Sequence, residues 1–89
     1  MQEQECKNKK LIAVACGKVL RHFRKNKSNY LLGMEYGIST SILNLIERGI
    51  KDPQLTTIFK LSEALGIKPS RFVKEVEKNL PKDFSLTDD

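Results

Sequence analysis

Residues 28–49 have the sequence SNYLLGMEYGISTSILNLIERG, which predicts two short helices joined by a tight turn. Ser28 is suited to cap the first helix, and Gly37 can adopt the left-handed backbone conformation that ends it. Ser39 then caps a second helix, which ends at Gly49. The two helices are therefore expected to cross steeply at the turn.

The remainder of the chain has the periodicity of three more helices and of no strand. Apolar residues recur every three or four positions over residues 9–26, where Gly17 indicates a close approach by another element. Helices are also expected from Pro53 to residue 65, ended by Gly66, and over residues 69–79. The apolar stripe expected to be buried in the fourth helix consists of Leu55, Ile58, Phe59, Leu61, Leu65 and Ile67.

These patterns predict an all-α fold of five helices around one core. A chain of 89 residues is long enough for a single small domain. The two ends are polar and lack periodicity, so we expect disordered tails over residues 1–8 and 81–89, the second one acidic. Residues 9–80 are then the folded domain.

The charge is concentrated in the body of the chain. The formal net charge is +5, but residues 7–82 hold all 16 Lys and Arg against six acids, a net charge of +10. A body this basic attracts polyanions, nucleic acid above all. The longest apolar stretch is far shorter than the about 20 residues of a membrane span, and residues 1–10 lack the apolar segment of a secretory signal. We therefore expect a cytoplasmic protein that does not bind membranes.

The sequence lacks residue sets for catalysis or metal binding. His22 is the single histidine, and no Ser/His/Asp or Cys/His combination accompanies it beyond chance. Cys6 and Cys16 are too few for a secreted disulfide scaffold and lack the paired spacing of a zinc site. We expect no enzymatic activity, no metal and no cofactor.

Three segments carry a resemblance to a known family: GISTSILNLIERG, DPQLTTIFKLSEALGI and PSRF. They resemble the lambda-repressor/Cro-like helix-turn-helix family, also called the xenobiotic-response-element regulators. The similarity extends over residues 18–73, and several anchors share the family's spacing. It implies a five-helix lambda-repressor-like domain with the helix-turn-helix at helices 2 and 3.

The resemblance also implies a structural ion pair. Family members have an Arg near the end of the first helix that pairs with the Glu before the second Gly, which is Glu47 here. Arg24 is the candidate partner, because Leu20 and Phe23 then match the family's core positions. An alignment without a gap would place His22 opposite Glu47 instead.

The resemblance implies a sequence-specific transcriptional regulator that binds double-stranded DNA, with a recognition helix at about residues 40–48 in the major groove. Thr40 and Ser41 are the candidates for reading bases, although for both a role in capping the helix is an equal alternative. Asn29 matches the family's phosphate-clamping position, and Asn44 could reach an adenine or a phosphate. The full set of candidate DNA-binding residues is Asn29, Thr40, Ser41, Asn44, Leu45, Arg48 and Lys51.

Three apolar residues depart from the family pattern, which usually has polar residues at Leu31, Ile42 and Leu45. Leu45 could contact thymine methyl groups. Alternatively, the three residues form an apolar face that binds a protein partner through Ile42 and Leu45, as in an antitoxin-like or adaptor protein. A third alternative is that they belong to the core.

The last helix has more apolar surface than one small core needs, and folds of this kind usually bind DNA as dimers. We therefore expect a homodimer. Its candidate interface consists of Phe72, Val73, Val76 and Leu80.

Overall fold

The computed structural model describes residues 2–87, and the side chains of residues 7–87. This part of the chain has five helices and no strand, which confirms the expected fold class. No helix within these residues is long and apolar enough to cross a membrane. The helices are α1 (Gln2–Arg24), α2 (Asn29–Tyr36), α3 (Thr40–Glu47), α4 (Leu55–Leu65) and α5 (Pro69–Lys78).

The first helix begins earlier than the sequence predicts. The expected tail over residues 1–8 is helical from Gln2 onward, and Met1 lies outside the described residues. Gln, Glu and Lys dominate this stretch, and their straight side chains lose little freedom in a helix, so an existing helix extends through them. At its other end α1 stops at Arg24, because Lys25 has a left-handed φ of +58°.

The segment after α5 also differs from an unstructured tail. Residues 81–87 contain no helix, but the Phe84 N–H donates to the Pro81 carbonyl and closes a turn. Asn8 Nδ2 then donates to the Ser85 carbonyl oxygen, so the segment returns to α1. Residues 88 and 89 of the expected tail lie outside the described part of the chain.

The turn between α2 and α3 is built as the sequence predicts. Ser28 Oγ accepts from the Leu31 N–H at 3.1 Å, and Gly37 ends α2 with a φ of +69°. Ser39 Oγ accepts from the Ile42 N–H at 3.3 Å and caps α3. Gly33 lies against the carbonyl oxygen of Ile38, and a Cβ atom at Gly33 would collide with that oxygen. The two helices therefore cross closely.

The core lies between α1 and the other four helices. Its most deeply buried large residues are Leu20, Leu32, Leu43, Ile46, Leu61 and Phe72. The expected stripe of α4 is only partly correct: Ile58 and Leu61 are buried, whereas Leu55 is 68% exposed and Phe59 is 56% exposed. The core covers only one side of α4. Leu55 and Phe59, on the other side of the apolar stripe, are therefore left in solvent.

The expected dimer interface on α5 requires a correction. Phe72 is fully buried, Val76 is 8% exposed, and Leu80 packs against the core, because α5 lies on α1 and α4. Phe72 and Val76 therefore stabilise the monomer and are covered within it, and Leu80 is partly buried. Val73 is the one member of the expected set that is exposed.

Candidate nucleic-acid interface

Helix α3 is held against the domain along its inner face and at its carboxyl end. Leu43 and Ile46 are completely buried and fix the inner face of the helix. Near its carboxyl end, a Cβ atom on Gly17 of α1 would lie 2.5 Å from the Ile46 carbonyl oxygen, which confirms that Gly17 marks a close approach. The outer face of α3 is thereby given a fixed orientation.

The polar residues of α3 lie on this outer face. Ser41, Asn44 and Arg48 are exposed, and Thr40 is partly exposed. The structure thus brings together, on one face, most of the residues predicted to contact DNA. Lys51 follows in the loop after α3 and is also partly exposed. Their contacts with DNA remain predictions.

Arg24 and Glu47 form the expected structural pair. Arg24 Nη1 lies 2.5 Å from Glu47 Oε1 and Nη2 lies 3.1 Å from Oε2, a two-pronged contact between α1 and α3. Arg21 Nε adds a third contact at 3.3 Å, which the sequence analysis missed although Arg21 lies one turn before Arg24. His22 does not occupy this place; its ring lies against Phe23. The loop before α2 is therefore short, as the gapped alignment requires.

The charge of Glu47 is strongly stabilised. The hydrogen bond from Arg24 is the main cause and Asn29 contributes another, so the pKa of Glu47 falls to about 2 despite partial burial. The carboxylate is ionised at neutral pH and is neutralised by two arginines. The charge of this acid at the end of α3 is therefore compensated within the domain.

The structure corrects the role expected for Asn29. Its side chain is buried, with an exposure of 8%. Oδ1 accepts from Arg24 Nη1 at 2.6 Å, while Nδ2 donates to Glu47 Oε1 at 2.7 Å and to Asn44 Oδ1 at 2.8 Å. Its polar atoms are engaged inside the domain, so this amide is not available to clamp a phosphate. The short Asn side chain allows this, since it keeps the amide close to the helix.

The three apolar departures have different environments. Ile42 is partly buried and packs against the core, as one of the three alternatives expects. Leu45 is partly exposed and Leu31 is 50% exposed, so they remain available as a surface. On α2, Tyr30 and Met34 extend this exposed apolar surface.

Cations lie near both ends of α3. Arg48 and Lys51 lie at its carboxyl end, and Lys60 of α4 lies near its amino end, where Nζ donates to the Gly37 carbonyl oxygen at 3.2 Å. Glu35 of α2 is paired with Lys27 at 2.6 Å. Lys60 was missed in the sequence analysis because α4 is distant in the chain and only the fold brings it to the turn.

Cys16 is buried, so its thiol is not exposed at this surface. Burial, followed by the nearby charge of Asp52, raises the pKa of the Cys16 thiol to about 11. No group of three or more His, Cys, Asp or Glu residues in the part of the chain with described side chains could hold a metal ion.

Comparison with known proteins agrees with the helix-turn-helix arrangement of α2 and α3. A family model described as helix-turn-helix matches residues 20–72, more than half of the chain. The matched segment begins within α1, includes α2, α3 and α4, and ends within α5. No curated protein and no solved structure matches the chain.

Proposed function

We propose, on the premise that this chain belongs to the lambda-repressor/Cro-like helix-turn-helix family, that it is a cytoplasmic, sequence-specific transcriptional regulator with α3 as its recognition helix. The family is one of DNA-binding regulators rather than of enzymes. The function proposed for this chain is therefore reversible binding to double-stranded DNA.

The observation that carries the proposal is the outer face of α3. Its exposed residues, Ser41 and Asn44, are polar, and the helix is held from behind by buried Leu43 and Ile46. Cations lie near its ends, and Glu47 is neutralised by ion pairs. A helix of this kind can enter the major groove with its first turns against base edges. Thr40 and Ser41 would then contact bases, and Arg48 and Lys51 would contact phosphates.

Selection of binding sites from a randomised duplex pool, followed by titration of the enriched duplex, tests the proposal. Arg48→Gln and Lys51→Gln should weaken binding evenly across sequences and each reduce the slope of log affinity against log salt by about 1. Lys74→Gln on α5 is the matched control, because this helix packs on α1 and α4. Binding without a negative salt slope would contradict the phosphate contacts.

The base-reading part is tested separately. Thr40→Ala and Ser41→Ala should change the preferred bases while the salt slope stays constant, because hydroxyls carry no charge. If both variants select the same sites as the parent protein, neither hydroxyl reads a base.

A second candidate function is a protein-interaction module that uses the apolar face. The exposure of Leu31, Tyr30 and Met34 favours it. Leu45→Glu distinguishes the two functions, and it is preferred to a change at Ile42, which packs against the core. Loss of DNA binding in a folded variant indicates insertion into the groove, whereas unchanged DNA binding indicates a partner surface.

We propose further that the protein is a homodimer, with α4 rather than α5 at its interface. Leu55 and Phe59 lie one turn apart on α4 and are the most exposed apolar residues of that helix. Lys60 and Glu63, also exposed, flank them with opposite charges, so that a two-fold axis can bring each beside its counterpart in the second copy. One α3 would contact only one half-site, and the second copy would place its own α3 on the other half-site.

Phe59→Glu tests this interface by sedimentation. The parent protein should sediment as a dimer and the variant as a folded monomer that binds the full site more weakly. Val73→Glu on α5 is the control and should leave the dimer intact. A parent protein that is monomeric at about 50 μM, with and without DNA, would contradict the dimer.

A further inference from the structure

We propose that Asn44 contacts DNA as a hydrogen-bond donor, through Nδ2, to a base or phosphate acceptor, and not through the two-atom pairing with the N6 and N7 of adenine. The inference rests on the proposed function and specifies which atom of the Asn44 amide faces the DNA. It follows from a series of hydrogen bonds that begins at α1.

Arg24 determines the orientation of the Asn29 amide. A guanidinium group has donors and no acceptor, so the Asn29 atom that lies 2.6 Å from Arg24 Nη1 must be the oxygen. The nitrogen of the same amide then faces two acceptors. One is Glu47 Oε1 at 2.7 Å, which as part of a carboxylate can only accept. Both neighbours thus require the same orientation.

Asn29 in turn determines the orientation of Asn44. The Asn44 atom that lies 2.8 Å from Asn29 Nδ2 must be an acceptor, which is Oδ1. Rotating the Asn44 amide by half a turn would place two NH₂ groups against each other and remove this hydrogen bond. Rotating Asn29 as well would turn its NH₂ toward Arg24. The orientation of the Asn44 amide is therefore determined, through Asn29, by Arg24, whose guanidinium group does not lose its proton.

The group that Asn44 presents outward is its NH₂. The side chain is exposed, and no other residue in the described part of the chain accepts a hydrogen bond from Nδ2. Recognition of adenine by an Asn side chain uses both amide atoms, the oxygen toward N6 and the nitrogen toward N7. The oxygen of Asn44 is turned toward Asn29, inside the domain, so we expect the outward contact to be made by the nitrogen alone. Guanine O6 and N7, adenine N7, thymine O4 and phosphate oxygens all accept a hydrogen bond, and each fits a single donor.

The neighbouring groups reinforce this polarity. Arg48 and Lys51, which follow Asn44 along the chain, carry only donors, and Glu47 is held by Arg21 and Arg24. The polar groups of Asn44, Arg48 and Lys51, at and just after the carboxyl end of α3, are therefore all available as donors.

The test compares two substitutions of Asn44 on the duplex enriched by the parent protein. Asn44→Asp has the same shape and keeps an oxygen toward Asn29, but it replaces the outward NH₂ by an oxygen. Asn44→Ala removes the group. We expect the Ala variant to bind about tenfold more weakly and the Asp variant about a hundredfold more weakly. Asn79→Asp, at the exposed end of α5, changes the net charge equally and should bind within about twofold of the parent.

Site selection with the Ala variant identifies the acceptor. Loss of a sequence preference at one base pair indicates a base contact, and equal weakening on all sequences indicates a phosphate contact. Thermal melting of each variant establishes that it is folded.

Two results would overturn the inference in a protein that binds DNA. The first is an Asp variant that binds at least as tightly as the Ala variant. The second is an Ala variant with unchanged affinity and preference. If the parent protein selects no site at all, it is the proposed function that fails.

Discussion

Replacing Glu47 by Gln removes the carboxylate that Arg24 and Arg21 bind, and we expect this to destabilise the domain in a strongly pH-dependent manner. The pKa of Glu47 falls from 4.5 to about 2 on folding. At about 1.4 kcal/mol for each pKa unit, this shift corresponds to about 3 kcal/mol. The Glu47 side chain is 21% exposed, so water and salt reduce the effect, and we expect a loss of about 2 kcal/mol at pH 7.

The sign follows from the direction of the shift. Because the folded-state pKa lies below the unfolded-state value of 4.5, the stabilisation by Glu47 is fully present well above pH 4.5. It is lost as the pH falls toward 2, since the folded protein must then take up the proton. The difference between the parent protein and Glu47→Gln should therefore be constant from pH 8 to pH 6. By pH 3.5 it should have fallen by about 1 kcal/mol.

Urea unfolding followed by circular dichroism at a series of pH values measures this difference, and urea leaves the ionic strength unchanged. Glu77→Gln is the control, because it removes an exposed carboxylate of α5 whose side chain pairs with no residue in the described part of the chain. A Glu47→Gln difference that is the same at pH 3.5 and pH 7, or that equals the difference for the control at pH 7, would refute the reasoning.

Three other substitutions test the packing. Ser62→Ala should raise the free energy of unfolding by about 1 kcal/mol in urea, because its hydroxyl is buried without a hydrogen-bond partner. Gly33→Ala should lower the free energy of unfolding by about 3 kcal/mol, because the new Cβ collides with the backbone. Gly66→Ala has free space around the new Cβ and should cost only about 1 kcal/mol, because of its φ of +75°. Equal losses in the two variants would contradict the collision at Gly33. In a Cys6→Ser background, the Cys16 thiol, with a pKa of about 11, should resist alkylation at pH 8 until the protein is unfolded in urea.

The sequence was sufficient to predict the elements of the fold that depend on local chemistry. Ser28 and Ser39 cap helices, and Gly37 and Gly66 end them with positive φ, as their residue types favour. The Arg24–Glu47 pair was predicted because the residue types and the family spacing agree. These features need only the chain near each residue or a known register.

Predictions that depend on the depth of burial were less accurate. Phe72 has the same apolar character as Phe59, yet one is fully buried and the other is 56% exposed. The pattern of three and four residues identifies an apolar face but does not say how far around the helix the core extends. Asn29 shows the same limit for polar residues, because its hydrogen bonds depend on where Arg24 and Glu47 are placed by the fold.

The way in which α3 is held separates the stability of the domain from its contacts with DNA. The inner residues Leu43 and Ile46, the ion pair of Glu47 and the close approach to Gly17 all lie behind or at the end of the helix. Thr40 and Ser41 take no part in any of these contacts. Substitutions at these two positions should therefore alter the bases that are read at a cost of less than about 0.5 kcal/mol in stability. Asn44 is the exception, since it is joined to the same hydrogen-bond network that holds α1, α2 and α3 together.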